Sequence, residues 1–153
     1  MIFAGFWKRF VAAVIDSILL SIAYSAISAV FGVSTIFPVL GLIAGGDAML
    51  AGAVASFVVI VMMLLFFSLV LSWLYFAIME SSHFQATLGK MALGIVVLNS
   101  SGARISFLQA SGRYFGKFLS TIILYAGFIM AAFTKRKQAL HDILADTYVI
   151  NKP

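Results

Sequence analysis

The sequence predicts an all-α membrane protein with two transmembrane helices, a third apolar segment and a small cytoplasmic β-hairpin. Of its 153 residues, 63% are hydrophobic and only 10% are charged. The mean hydropathy of +1.13 lies far above the range of soluble domains. Because one crossing needs roughly 20 apolar residues, the chain is long enough for a few spanning elements. We therefore expect a single membrane domain over residues 1–153.

Composition also excludes several classes of function. The chain has no cysteine, which excludes a disulfide framework, a thiolate nucleophile and a cysteine-bound metal. Its net charge of +5 comes from basic residues that flank apolar segments. They are typical of topology signals and of anchors for anionic lipid, so we expect no nucleic-acid partner. Without a Ser-His-Asp pattern, a glycine-rich phosphate loop or a zinc signature, we expect no enzyme, no metal and no cofactor.

The first helix is predicted over residues 6–31. It opens with a tryptophan and two basic residues, which is the pattern of an interfacial anchor before a span. Gly32 and the polar residues after it are expected to end the helix. Residues 36–44 are apolar but too few to cross, so we predict a loop or a shallow interfacial segment there.

The second helix is predicted over residues 48–79. Asp47 stands at the position of an N-cap, and the stretch carries no formal charge until Glu80. It is longer than one bilayer requires, so we expect it to tilt or to project from the membrane. Glu80 and His83 are expected to lie at the membrane interface.

A small β-hairpin is predicted after the second helix. Residues 94–98 have the composition of a strand, residues 99–102 have that of a turn, and residues 103–107 alternate like a returning strand. Residues 108–117 form an amphipathic stretch, and residues 147–150 again resemble a strand. We expect the hairpin to lie at the membrane surface.

The distribution of charge predicts the topology. All ten Lys and Arg lie in the N-terminus, in the region after Glu80 or in the tail after Thr134. The positive-inside rule then places the N-terminus and the central region in the cytoplasm. A single crossing by residues 118–133 would export the basic tail, and this run is short for a span. We therefore favour a re-entrant helical hairpin, bending near residues 125–127, over a third crossing.

Asp16 is the first candidate site residue, because a carboxyl inside a membrane-length apolar run carries a desolvation penalty of a few kcal/mol. Arg9 lies seven residues earlier, almost on the same helix face but about 10 Å away along the axis. A direct pair within the helix is therefore not expected, and the candidate partners are Arg113, Lys117 and Arg136. Two interpretations stay open: a structural ion pair, or a carboxylate that binds a proton or a cation.

A second group of candidate residues lies near the C-terminus. It contains His141, Asp142 and Asp146. Two carboxylates and one imidazole without a further ligand motif do not form a specific metal site. We expect helix capping, or pairing with Arg136 or Arg9.

The chain also carries a combination of motifs that is found in one family. The features are Arg9 before the first helix, Asp16 within it, Gln-Ala-Thr-Leu-Gly-Lys at residues 85–90, Gly-Ile-Val-Val at 94–97, and Lys-Arg-Lys-Gln-Ala-Leu-His-Asp at 135–142. Together they resemble the RDD family of bacterial membrane proteins, named for one arginine and two aspartates. The resemblance covers nearly the whole chain. It implies that Arg9, Asp16 and Asp142 are the naming residues, and that the protein is a multi-pass protein of the bacterial inner membrane. Asp146 stands where the family commonly has glycine, so no role is carried onto it.

Two hypotheses about function follow from the resemblance and the candidate residues. Some members of the family are described as sodium/proton antiporters. The first hypothesis is therefore a contribution to cation or proton transport, with Asp16 carrying the ion and Arg9 and Asp142 setting its field. This hypothesis requires a homo-oligomer, because two spans and a hairpin do not enclose a transport route. The second hypothesis is a non-transporting scaffold or regulatory subunit that binds another membrane protein, in which the triad clamps the first helix to the tail.

Overall fold

A computed structural model describes residues 2–44, 47–122, 130–131, 134 and 136–152, and describes no side chains for residues 30–50 and 121–122. The elements in chain order are α1 (Phe6–Ala44), α2 (Asp47–Ser81), α3 (Leu88–Ala92), β1 (Ile95–Asn99), α4 (Phe107–Ile122), α5 (Leu140–Leu144) and β2 (Thr147–Asn151). They form two compact units. We call Met1–Ile18 with Trp73–Pro153 the polar unit, and Leu19–Ser72 the helical unit.

Helices α1 and α2 supply the two predicted membrane spans. Phe6–Ala29 and Ala51–Ser81 are long and apolar enough to cross a bilayer, with mean hydropathies of 2.0 and 3.0. None of the most apolar part of α2 is buried within the protein. A helix with apolar side chains on all faces is suited to a lipid environment. The two predicted spans are therefore present as two candidate membrane-spanning helices.

The predicted end of the first helix is wrong. α1 continues through Gly32 and Pro38 to Ala44, so the loop expected over residues 36–44 is helical. A break inside hydrocarbon would leave backbone N–H and C=O groups without partners, at several kcal/mol each. A glycine within a helix costs only about 1 kcal/mol, and prolines are tolerated in membrane helices.

The predicted strand pairing is also wrong, although the small sheet exists. β1 pairs antiparallel with β2, with Val97 opposite Val149, and residues 103–106 form no strand. Residues 103–107 offer Ile105 as their one well-buried apolar side chain. β2 instead supplies apolar side chains to both faces of the sheet. The strand-like character of residues 147–150 is confirmed.

The N-terminal residues complete the polar unit. The amide of Ala4 donates to the carbonyl of Val149 at 2.9 Å, and the amide of Asn151 donates to the carbonyl of Ile2 at 2.9 Å. The chain before α1 thus runs beside β2. The start of the first helix, the central region and the tail are consequently held in one unit.

The amphipathic α4 has its polar side turned inwards. Arg113 and Ser120 are buried, whereas Leu108, Phe115 and Phe118 are exposed. An exposed apolar face is suited to contact with lipid. The predicted bend at residues 125–127 lies outside the described residues, so the choice between a re-entrant hairpin and a third crossing stays a prediction.

Candidate functional site

Asp16 is buried among hydrogen-bond donors. Its side chain is 1% exposed. Oδ1 accepts hydrogen bonds from the hydroxyl of Tyr75 and the amide of Gly89, both at 2.8 Å. Oδ2 accepts one from the hydroxyl of Thr87 at 2.5 Å. Helices α1 and α2 and the start of α3 therefore meet at a single carboxylate.

Gly89 is what allows α3 to approach α1 so closely. A Cβ atom at this position would collide with the carbonyl oxygen of Ala12 and would lie 2.9 Å from Cγ of Asp16. The hydroxyl of Tyr75 also accepts a hydrogen bond from the amide of Leu88 at 3.0 Å. Within the Gln-Ala-Thr-Leu-Gly-Lys motif, glycine thus permits the close backbone contact with α1, and the leucine amide donates to the tyrosine.

The partners of Asp16 differ from those we expected. Its hydrogen bonds come from two hydroxyls and a backbone amide, and the predicted partner Arg113 pairs with two other carboxylates. Neutral donors satisfy the buried carboxylate oxygens without a salt bridge. Hydroxyl and glycine partners give no charge pattern along the sequence, although Thr87 and Gly89 lie in the motif at residues 85–90.

A buried charge network lies in the same unit. We define it as Arg9, Glu80, Lys90, Arg113 and Asp142. Nζ of Lys90 lies 2.5 Å from Oε1 of Glu80, and Nε of Arg113 lies 3.1 Å from Oε2 of Glu80. Nη1 of Arg113 lies 2.9 Å from Oδ1 of Asp142, whose Oδ2 pairs with Arg9. Arg113 therefore bridges two carboxylates that come from different elements.

Asp142 also shapes the backbone at the start of α5. Its Oδ2 accepts a hydrogen bond from the amide of Ala139 at 3.1 Å. Arg113 donates from Nη1 to the hydroxyl of Thr147 at 2.6 Å, and so reaches β2 as well. The expected capping by Asp142 and its expected pairing with Arg9 are both confirmed.

Burial and neighbouring charges together set the protonation states of Asp142 and of the adjacent His141. Burial alone would raise the pKa of the Asp142 carboxyl, but the charges of Arg113 and Arg9 outweigh it and hold that pKa below its usual value. Burial lowers the pKa of His141 from 6.5 to about 3, since the attraction of Asp142 does not compensate for desolvation. At neutral pH Asp142 is therefore ionised and His141 is neutral.

Three members of the network were not predicted as such from the sequence: Glu80, Lys90 and Arg113. Glu80 is 1% exposed and ion-paired within the protein, while its position at the membrane interface stays a prediction. Arg113 was considered only as a partner for Asp16. The available signal was the amphipathic pattern of residues 108–117, which places Arg113 and Lys117 on the side of α4 opposite its large apolar side chains.

The naming residues occupy two neighbouring arrangements. Arg9 and Asp142 are in direct contact, whereas Asp16 has its own set of donors. Arg9 and Asp16 both line a cavity of about 530 Å³ within the polar unit. Among the residues with described positions, no group of three or more His, Asp or Glu side chains is arranged to hold a metal.

These observations define a helical membrane protein in which arginine and aspartate side chains join the first helix to the tail. The chain belongs to the RDD family, whose family model matches residues 3–146. It is 41% identical to the uncharacterized protein YxaI of Bacillus subtilis (strain 168), with 97% of each chain covered. It is 31% identical to the uncharacterized membrane protein YteJ of the same strain, covering 98% of this chain and 82% of the relative. No solved structure matches the chain.

Proposed function

We propose that this protein is a non-transporting membrane module that scaffolds or regulates another membrane protein. Its arginine and aspartate residues act as a structural clamp and catalyse no reaction. The observation that carries the proposal is the surroundings of Asp16, whose two oxygens accept hydrogen bonds from Tyr75, Thr87 and Gly89.

The donors around Asp16 oppose the binding of a cation. A bound cation needs several oxygen ligands that present lone pairs towards it. The two hydroxyls and the amide instead direct their hydrogens towards Asp16. These contacts support a structural role in which Asp16 holds α3 against α1.

The pairing of Arg9 with Asp142 supports the same role. Arg9 lies in the first turn of α1, and Asp142 lies in α5 close to the tail strand. Asp142 is fully buried and Arg9 is partly buried. Breaking the pair is costly, because removing Arg9 would leave a buried carboxylate with less compensation. The clamp would keep the cytoplasmic face of the module in one conformation for a partner, which is either another membrane protein or a second copy of the chain.

Substitution of Asp16 by asparagine tests the proposal. Asp16→Asn should lower the stability of the detergent-solubilised protein by about 1–3 kcal/mol, because an amide cannot accept all three hydrogen bonds. Asp146→Asn is the matched control. Asp146 is exposed and has a φ of 51°, a backbone conformation that asparagine tolerates well. The measurement is the midpoint of thermal unfolding of each variant.

Ion flux in proteoliposomes completes the test. We expect the wild-type protein to carry no more protons or sodium than protein-free liposomes, as measured with dyes for pH and for sodium. A wild-type flux that Asp16→Asn abolishes while leaving the unfolding midpoint unchanged would contradict the proposal.

Cation or proton transport is the second candidate function. The observation that favours it is the position of Asp16 and Ser17 on the wall of the cavity of about 530 Å³, within the first candidate span. In this case Asp16 carries the ion and copies of the chain complete the route. The flux experiment separates the two candidates, and a protein that stays monomeric in membrane mimetics would argue against transport.

The location that we propose is the bacterial inner membrane, with the N-terminus in the cytoplasm. The distribution of basic residues supports this orientation. Since β2 pairs with β1, the tail would lie on the same side of the membrane as the central region.

A further inference from the structure

The cavity of the polar unit has chemically different walls. One wall is cationic, with the side chains of Arg9, Lys90, Arg113 and Lys117. Another follows one face of α1, where the apolar side chains of Phe6, Phe10 and Ala13 precede the polar side chains of Asp16 and Ser17. The cavity is therefore lined by cationic side chains and by apolar side chains of a candidate membrane helix.

The charges around the cavity leave an excess of positive charge among the described residues. The four cationic side chains face the carboxylates of Asp16, Glu80 and Asp142, while His141 is neutral at pH 7. A cavity lined by more cationic than anionic side chains has a positive potential, which favours the binding of an anion.

Arg9 carries a buried hydrogen-bond donor that faces no acceptor in the described part of the chain. This donor is Nη2 of its guanidinium group. Buried guanidinium nitrogens are normally satisfied by carboxylate or phosphate oxygens. An anion bound against Arg9 would supply the acceptor.

We propose that this cavity binds the phosphate group of an anionic phospholipid, with the start of an acyl chain along the apolar face of α1. A volume of about 530 Å³ holds a headgroup and the first part of a chain. The apolar wall favours a lipid over free phosphate, because a soluble anion gains nothing from contact with phenylalanine. The site goes beyond the proposed function, and a lipid bound here would occupy the cavity in which the second candidate function places the ion.

The occupant is identified by adding candidates to the full-length protein in a neutral detergent. The probes are phosphatidylglycerol, phosphatidylcholine and inorganic phosphate, and the readout is the bound species counted by native mass spectrometry. We expect phosphatidylglycerol to be retained much more tightly than phosphatidylcholine, with no competition from millimolar inorganic phosphate. Equal retention of the two lipids would overturn the proposal. Displacement of the lipid by inorganic phosphate would overturn the assignment to a lipid.

Charge variants separate this cavity from general attraction to a basic surface. Lys117→Gln should weaken the retention of phosphatidylglycerol by about tenfold or more, which is the usual effect of losing a charge-assisted hydrogen bond. Lys117→Arg should restore it. Arg104→Gln removes the same charge from an exposed position outside the cavity and should change little. An equal loss in Arg104→Gln and Lys117→Gln would overturn the proposal.

Two substitutions that add bulk test the site without changing its charge, in case Lys117→Gln fails to fold. Ala13→Phe fills the groove on α1 without touching the charges, whereas Val14→Phe adds similar bulk at an exposed position that does not line the cavity. We expect only Ala13→Phe to lose phosphatidylglycerol. Retention by Ala13→Phe at the wild-type level would overturn the proposal.

Discussion

At the scale of single residues, Arg113 organises the site. It is 1% exposed and contacts Glu80, Asp142 and the hydroxyl of Thr147. Its planar guanidinium presents donors in several fixed directions, which a lysine cannot reproduce. α2, α4, α5 and β2 therefore meet at one side chain.

His141 makes the stability of the protein depend on pH. Its pKa is about 3 in the folded protein and 6.5 when exposed, since burial disfavours the charged ring. The unfolded chain therefore takes up a proton first as the pH falls. The stability that neutral His141 contributes is complete above pH 6.5 and is lost progressively towards pH 3. The expected slope is at most about 1.4 kcal/mol per pH unit.

The prediction is checked by measuring unfolding midpoints in neutral detergent across this range. His141→Gln should flatten the loss between roughly pH 6.5 and pH 5.5, above the range in which Asp142 and Glu80 of the unfolded chain take up protons. His83→Gln is the control, because His83 is exposed. An identical pH profile for the wild type and His141→Gln would contradict the assignment.

At the scale of elements, glycines decide which helices approach closely. Gly89 allows α3 to pack against Asp16 and Ala12 on α1. Gly116 allows α4 to pack against α5, since a Cβ atom added at Gly116 would lie 3.0 Å from Cβ of His141. Both contacts lie beside the charged and hydrogen-bonded groups. Close backbone approach is thus what excludes water from these polar interactions and strengthens them.

Alanine substitutions test the role of Gly89. Gly89→Ala should destabilise the protein by about 1–3 kcal/mol, because the added methyl group overlaps the carbonyl oxygen of Ala12 and crowds Asp16. Gly112→Ala is the matched control in α4, where an added Cβ meets nothing within 4 Å. Alanine is the better helix former, so the control should be neutral or more stable by about 0.5–1 kcal/mol. Unfolding midpoints that shift equally in both variants would contradict the packing argument.

At the scale of the whole molecule, the polar unit gathers three distant parts of the chain. Arg9 and Asp142 are 133 residues apart in sequence, and the sheet joins the central region to the tail. The start of the first helix, the central region and the tail must therefore lie on one side of the membrane. We propose that this side is the cytoplasm, as the positive-inside rule predicts.

Cysteine labelling tests this topology, because the natural chain contains no cysteine. Arg104→Cys and Lys152→Cys introduce thiols at exposed positions near β1 and β2. In intact cells, a membrane-impermeant maleimide should label neither variant until the membrane is broken. Asp47→Cys, at the start of α2, should react from outside. Labelling of the first two variants from opposite sides would contradict the pairing of the strands.

The amino-acid sequence by itself indicated the class of protein, the two candidate membrane helices and the family, and the resemblance to that family pointed to Arg9, Asp16 and Asp142. Hydropathy, charge distribution and motif spacing can be read directly from the sequence. They predict membrane helices well, because backbone groups without hydrogen bonds and unpaired charges are costly in lipid. Only the tertiary structure decided that Asp16 binds hydroxyls and an amide, that Arg113 joins Glu80 to Asp142, and that β1 pairs with β2. Those choices depend on which distant groups come within about 3 Å of each other, and this distance is set by packing that involves the whole chain.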